Sequence, residues 1–180
     1  ATRWLSLKEY VWWRLTGRYE IDYATAAATG LFDSEKNNWH LPALKLAGVS
    51  TNQLSTPVNT THTVTYMARP GGNVPGLLPR TLLVIGASDG CLANLGAGAV
   101  EPGITTVTIG TSGAVRRTSV RPIRDAESRL FSYPLYKQET VIQGEYSAQT
   151  TPHFGWAAFS ALSARRTRPA LECRRPGKLP

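Results

Sequence analysis

The 180-residue chain is 42% hydrophobic, a composition that supports a buried core and argues against a disordered polypeptide. Its net charge of +8 and pI near 9.9 would suit a polyanion partner if the basic residues were spread along it. Instead, Arg165, Arg166, Arg168, Arg174, Arg175 and Lys178 against Glu172 give residues 148–180 a net +5, and residues 1–147 keep only +3. Nucleic acid is therefore not an expected partner. Nor is a membrane, because no window approaches the roughly 18 apolar residues of a span.

The two cysteines, Cys91 and Cys173, lie far apart, with neither a disulfide framework nor metal-ligand spacing. A reducing, cytoplasmic compartment is the simpler expectation. The opening ATRWLSLKEY has no Met and no charged-then-apolar signal pattern. It starts inside a periodic segment, so the chain reads as an internal piece of something longer.

In WLSLKEYVWWRL, Trp4, Leu7, Val11 and Leu15 fall at helical spacing before Gly17. This predicts an amphipathic helix over residues 4–15, its aromatic stripe packed in the core. Asp22 is placed to cap a short Ala-rich helix ending near Gly30, where small residues allow close packing. A further helix is expected from Leu41 to Ala47, closed by Gly48, with His40 an ordinary surface or capping residue. HTVTYM alternates as one strand, and RPGGNVPGLLP reads as a loop. TLLVIG then has the continuous apolar character of a strand buried on both faces, followed by a helix in GCLANLGAGAV. ITTVTIG, GTSG and AVRRTSV form a hairpin candidate, and FSYPLY and ETVIQG two more strands. From about residue 148 the sequence is Arg-, Ala- and Pro-rich without periodicity, which suggests a disordered or non-native tail.

Two chemistries compete at Gly86-Ala87-Ser88-Asp89-Gly90. The segment fits the G-x-S-x-G elbow of serine hydrolases, and Ser88, Asp125 and His153 occur in the matching order. The context opposes that reading. Such an elbow needs strand-helix-strand units on both sides, whereas helices and a loop precede it here and a hairpin follows. The alternative assigns the chemistry to Asp89. A carboxylate at a strand's end, beside a glycine, can approach a substrate hydroxyl and take its proton. About twenty residues on, the turn Gly110-Thr111-Ser112-Gly113 offers backbone N–H groups and two hydroxyls suited to phosphate oxygens. An acid and a phosphate turn make a minimal phosphoryl-transfer site.

At these residues the sequence resembles the FGGY carbohydrate kinases, within the actin-like, ribonuclease H-like ATPase superfamily. The likeness runs from WLSLKEYVWWRLTGRYEIDYATAAATGLFD, through Trp39 and the helix after it, to VIGASDGCLANLGAGAVEPGITTVTIGTSGAV. GASDGCLANLGAG looks most like the gluconate kinase branch. The resemblance implies a mixed α/β fold. Residues 1–102 would be the later part of the sugar-binding amino-terminal domain, 103–147 the start of the ATP-binding domain, and 148–180 a basic tail.

It further implies phosphoryl transfer from MgATP to a sugar or sugar-acid hydroxyl, gluconate by preference, a xylulose or other pentulose being the alternative. Asp89 would be the base, with Gly90 beside the substrate, while Gly110, Thr111, Ser112 and Gly113 would hold ATP phosphates. Mg²⁺ would arrive with ATP rather than in a site of its own, and homodimerisation stays open for a full-length parent. The family's first phosphate hairpin and its adenosine-binding segment have no counterpart here, so the isolated chain is expected to be inactive.

Overall fold

The computed structural model describes residues 2–67, 74–109, 113–122, 130–135 and 141–147, the last of these by backbone alone. Two compact units divide the chain: Ala1–Thr108 with Ala114–Tyr146, and Ile109–Gly113 with Ser147–Pro180. The elements below belong to the first unit, apart from strand-end residues Ile109, Gly113 and Ser147. The predicted tail and most of the GTSG turn lie outside the described residues.

Helix α1 spans Leu7–Thr16 rather than starting at residue 4, because Ser6 caps it. The Ser6 hydroxyl accepts from the Glu9 N–H at 3.3 Å, and the Glu9 carboxylate accepts from the Ser6 N–H at 2.7 Å. This reciprocal pair satisfies two N–H groups that a helix start would otherwise orphan. At the other end Gly17 closes the helix in a left-handed conformation.

The buried face of α1 differs from the expected one. Trp12 and Glu9 are buried, while Trp4, Leu7 and Val11 of the predicted stripe are exposed, Leu7 by 80%. Polar contacts set the orientation: the Trp12 indole N–H donates to Glu20 and the Lys8 ammonium to Asp22. A face carrying one apolar anchor and two polar ones outcompetes a purely apolar stripe.

Strand β1 (Glu20–Asp22) pairs in parallel with β4 (Thr56–Val58), with Glu20 opposite Thr56 and Asp22 opposite Val58. Between them lie helix α2 (Tyr23–Ala28), the small hairpin of β2 (Phe32–Asp33) with β3 (Asn38–Trp39), helix α3 (Leu41–Ala47) and a short 3₁₀ turn (Thr51–Gln53). Asp22 caps α2 as expected, accepting from the Thr25 N–H at 2.9 Å. Gly48 ends α3 in the left-handed conformation, and His40 stands exposed at its N-cap without a side-chain cap bond.

Strand β5 (Thr63–Thr65) pairs antiparallel with β6 (Leu82–Val84), Thr63 opposite Val84. The expectation that TLLVIG is buried on both faces fails: Leu82 and Val84 are 60% and 58% exposed. Among the described residues β6 has one sheet neighbour, and only Leu83 of its three residues packs toward the core. Helix α4 (Asp89–Gly96) follows. Strands β7 (Thr105–Ile109), β8 (Gly113–Ser119), β9 (Leu130–Pro134) and β10 (Val141–Ser147) then form a four-stranded sheet in the order β7-β8-β10-β9. Both strands expected in FSYPLY and ETVIQG are present, paired antiparallel with Val141 opposite Pro134.

Among the described residues, three small apolar clusters hold this unit. Trp12, Val64 and Ile85 form one; Ile21, Ala26, Trp39 and Leu44 a second; Ala24, Ala87, Cys91 and Leu135 a third. Helix α2 joins the last two clusters through Ala24 and Ala26, both fully buried. At these positions larger side chains would overpack a closely fitted interior. The third cluster positions the candidate site, since it fixes Ala87 on one side of Asp89 and Cys91 on the other.

Candidate functional site

The segment after β6 is a turn anchored at alternate residues. Ile85 is buried and its N–H donates to the His62 carbonyl at 3.0 Å. Gly86 then takes φ +69°, a conformation that a residue with a side chain adopts only with strain. Ala87 is buried in the third cluster, and its carbonyl accepts from the Lys8 ammonium at 3.1 Å. The same ammonium lies 2.5 Å from the carboxylate of Asp22, which is completely buried. Lys8 therefore couples the base of the turn to the N-cap of α2.

Ser88 is the N-cap of α4, and Asp89 opens its first turn. Asp89 is exposed, and one of its carboxylate oxygens accepts from the Gly90 N–H at 2.7 Å. The carboxylate is thus open to solvent and held against its own helix end, where negative charge is favoured. Below it Cys91 is fully buried. Burial pushes its thiol pKa up to about 11, against a hydrogen bond from Ser88 and the nearby Arg116, which lower it. A thiol so protonated is no nucleophile.

Gly90 is where another chain segment comes close. A Cβ at this position would lie 2.9 Å from Nε of Arg116 and 3.3 Å from its Nη2. Arg116 extends from β8, and its Nη1 donates to the Thr108 hydroxyl on β7 at 3.0 Å. One turn further along the same face of α4, Asn94 is fully buried and accepts from the Thr106 hydroxyl at 2.7 Å. Helix α4 is thereby tied to β7 next to the exposed carboxylate.

Of the residues singled out by sequence, Asp89 and Gly90 are adjacent on α4 and Gly113 begins β8. Gly110, Thr111 and Ser112 lie outside the described residues. So do Asp125 and His153; Ser88 itself is the N-cap of α4. Strand β6 pairs with β5 in antiparallel fashion, whereas a hydrolase elbow requires a parallel sheet around it. Two residues escaped sequence reasoning, Lys8 and Arg116. Lys8 carried no signal, being one polar residue on a helix. Arg116 carried none either, being one of two adjacent arginines in AVRRTSV.

Comparisons with known proteins bear on the family and the fold. The sequence model described as "FGGY family of carbohydrate kinases, N-terminal domain" matches residues 1–96. A gluconokinase of Bacillus subtilis is 40% identical over 144 residues, covering 80% of this chain and 28% of its own length. Among solved structures, a xylulose kinase of Lactobacillus acidophilus superposes with TM-score 0.77 at 28% identity, covering 93% of this chain and 34% of its own. A gluconate kinase of the same species gives 0.75 at 28% identity, covering 87% and 32%. The chain spans about a third or less of the relatives it matches, and its mixed α/β fold is theirs, of the actin-like ATPase type. With the family model covering more than half of its residues, the chain belongs to the FGGY family of carbohydrate kinases.

Proposed function

We propose that this chain contributes the phosphate-accepting side of a carbohydrate kinase that transfers the γ-phosphoryl group of MgATP to a sugar or sugar acid, gluconate by preference. The observation that carries the reading is the placement of Asp89. It is an exposed carboxylate at the start of α4, on a turn anchored by Ile85 and Ala87 and braced by Lys8. As the sugar oxygen attacks phosphorus, its proton passes to the Asp89 carboxylate. The bond from phosphorus to the bridging oxygen breaks, and ADP leaves with that electron pair. Gly90 keeps the substrate side of the turn low. In the sequence, Gly110-Thr111-Ser112-Gly113 supplies N–H and hydroxyl donors of the kind that bind phosphate oxygens.

Mg²⁺ belongs to this reading as part of the MgATP substrate; among the described residues no group of three or more His, Cys, Asp or Glu could hold a metal ion. Gluconate is preferred over xylulose because the 40% identity to a gluconokinase exceeds the 26% to a xylulose kinase of Bacillus subtilis. Division at residue 102 into a sugar-binding and an ATP-binding part, a cytoplasmic site of action and homodimerisation of a longer enzyme complete the proposal. No helix among the described residues is long and apolar enough to cross a membrane.

With one recognisable phosphate turn, the 180 residues assayed alone are expected to give no gluconate turnover. The test is a hybrid enzyme in which this chain replaces the stretch of the Bacillus subtilis gluconokinase that it matches. Gluconate phosphorylation by the hybrid should fall about 10²- to 10⁴-fold in Asp89→Asn, with ATP binding kept. Undiminished turnover would remove Asp89 from the base role.

A further inference from the structure

Arg116 is a cation for which neither the fold nor the proposed base chemistry accounts. A guanidinium has five N–H donors in a planar fork. Among the described residues only the Nη1 contact to the Thr108 hydroxyl, at 3.0 Å, occupies one of them. No described carboxylate pairs with Arg116: the ion pairs there involve Lys8, Arg18, Lys36 and His62. Nε and Nη2 lie on the side of the group that faces Gly90, the residue after Asp89. The side chain is half-buried, so it is partly desolvated and still reachable.

A cation with no ion-pair partner among the described residues, close to an exposed carboxylate and on a surface kept clear by a glycine, is placed to receive an anion. We propose that Arg116 is an oxyanion-binding residue of the Asp89 site, its Nε and Nη2 donating to a carboxylate or phosphoryl oxygen of the substrate. The inference rests on the kinase reading and deepens it. The two substrates of a gluconate kinase both carry such oxygens, and the fork geometry of arginine matches either. Gly90 is then required at its position for a second reason. Any Cβ there would meet Nε at 2.9 Å and push the guanidinium aside.

The experiment is a titration of the 180-residue chain, followed by ligand-observed NMR, with sodium gluconate, with sorbitol as its uncharged counterpart, and with inorganic phosphate. Loss of a charge-assisted hydrogen bond corresponds to roughly ten- to a hundredfold in affinity. Arg116→Gln should weaken at least one of the two anions by that factor while leaving sorbitol unchanged, and Arg116→Lys should retain part of the binding. Weakened gluconate identifies a carboxylate contact; weakened phosphate identifies a phosphoryl contact. Gly90→Ala keeps the arginine and displaces it, so it should reproduce the same pattern in a chain with an unaltered residue 116. Equal affinity for both anions in Arg116→Gln and in the unsubstituted chain overturns the proposal, as does a chain that binds neither anion. Failure of the kinase reading shows separately, as retained turnover in the Asp89→Asn hybrid.

Discussion

Asp22 and Glu20 stand two residues apart on β1, and the fold neutralises them in different ways. Asp22 is completely buried and has one cation, the Lys8 ammonium at 2.5 Å, plus the Thr25 N–H at the start of α2. Glu20 keeps 13% of its side chain exposed and collects two hydrogen-bond donors and a further ion-pair partner. The Trp12 indole lies at 2.9 Å, the His62 ring at 3.1 Å and the Arg18 guanidinium at 3.7 Å. The first arrangement is sparse, a dry carboxylate held by a cation that is 35% exposed, and the second is redundant and partly wet. Removing the cation from a dry carboxylate strands a charge that is poorly solvated. In a redundant cluster at the surface the remaining partners and solvent compensate.

The location of each cluster gives this difference its functional meaning. Lys8 also donates to the Ala87 carbonyl, so this pair lies against the turn that carries Asp89. The Glu20 cluster instead joins α1 to His62, whose backbone carbonyl receives the Ile85 N–H. Both reach the same turn, the first through a hydrogen bond to Ala87 and the second through one from Ile85, but only the first has a single cation behind it.

The largest expected effect breaks the pair of Lys8 and Asp22. Lys8→Met leaves Asp22 buried without its cation and should lower the unfolding free energy by about 3 kcal/mol, measured by urea denaturation. A loss under about 1 kcal/mol would place the pair with ordinary surface bridges. In the second cluster, Trp12→Phe keeps the ring in its apolar pocket and removes one donor from Glu20. The expected cost is about 1.5 kcal/mol in the same measurement, and a cost matching that of Lys8→Met would mean that the cluster is not redundant. The smallest effect sharpens the picture of α1. Leu7→Glu falls on a residue that is 80% exposed and should stay within about 0.5 kcal/mol of the unsubstituted chain. A large loss there would restore the apolar stripe to the core.

Local features of the sequence led to the right elements where a few neighbouring residues decide the conformation. Ser6 with Glu9, Asp22 with Thr25, and Gly48 after α3 are interactions within four residues, and each element involved formed near its expected place. Expectations about burial held less well. The period of Trp4, Leu7 and Val11 indicated a helix correctly and its inner face wrongly, because periodicity cannot weigh an apolar stripe against polar anchors supplied by β1. TLLVIG was a strand, yet apolar character alone did not reveal that Leu82 and Val84 face outward from a two-stranded sheet.

The site divides along the same line. The Gly-Ala-Ser-Asp-Gly segment and the family it resembles were legible in the residues, since a strand end, a glycine and a carboxylate are contiguous there. In the structure Asp89 is the exposed member and Ser88 the helix cap, positions set by the start of α4. By itself, then, the sequence determined the helices and the family and nominated Asp89 as the candidate acid, all of which depend on short-range geometry or on runs of matching residues. Only the tertiary structure decided that Lys8, seventy-nine residues from Ala87, braces the turn, and that Arg116 from β8 lies against Gly90. Contacts between residues so distant along the chain leave no periodic trace; packing alone brings them together.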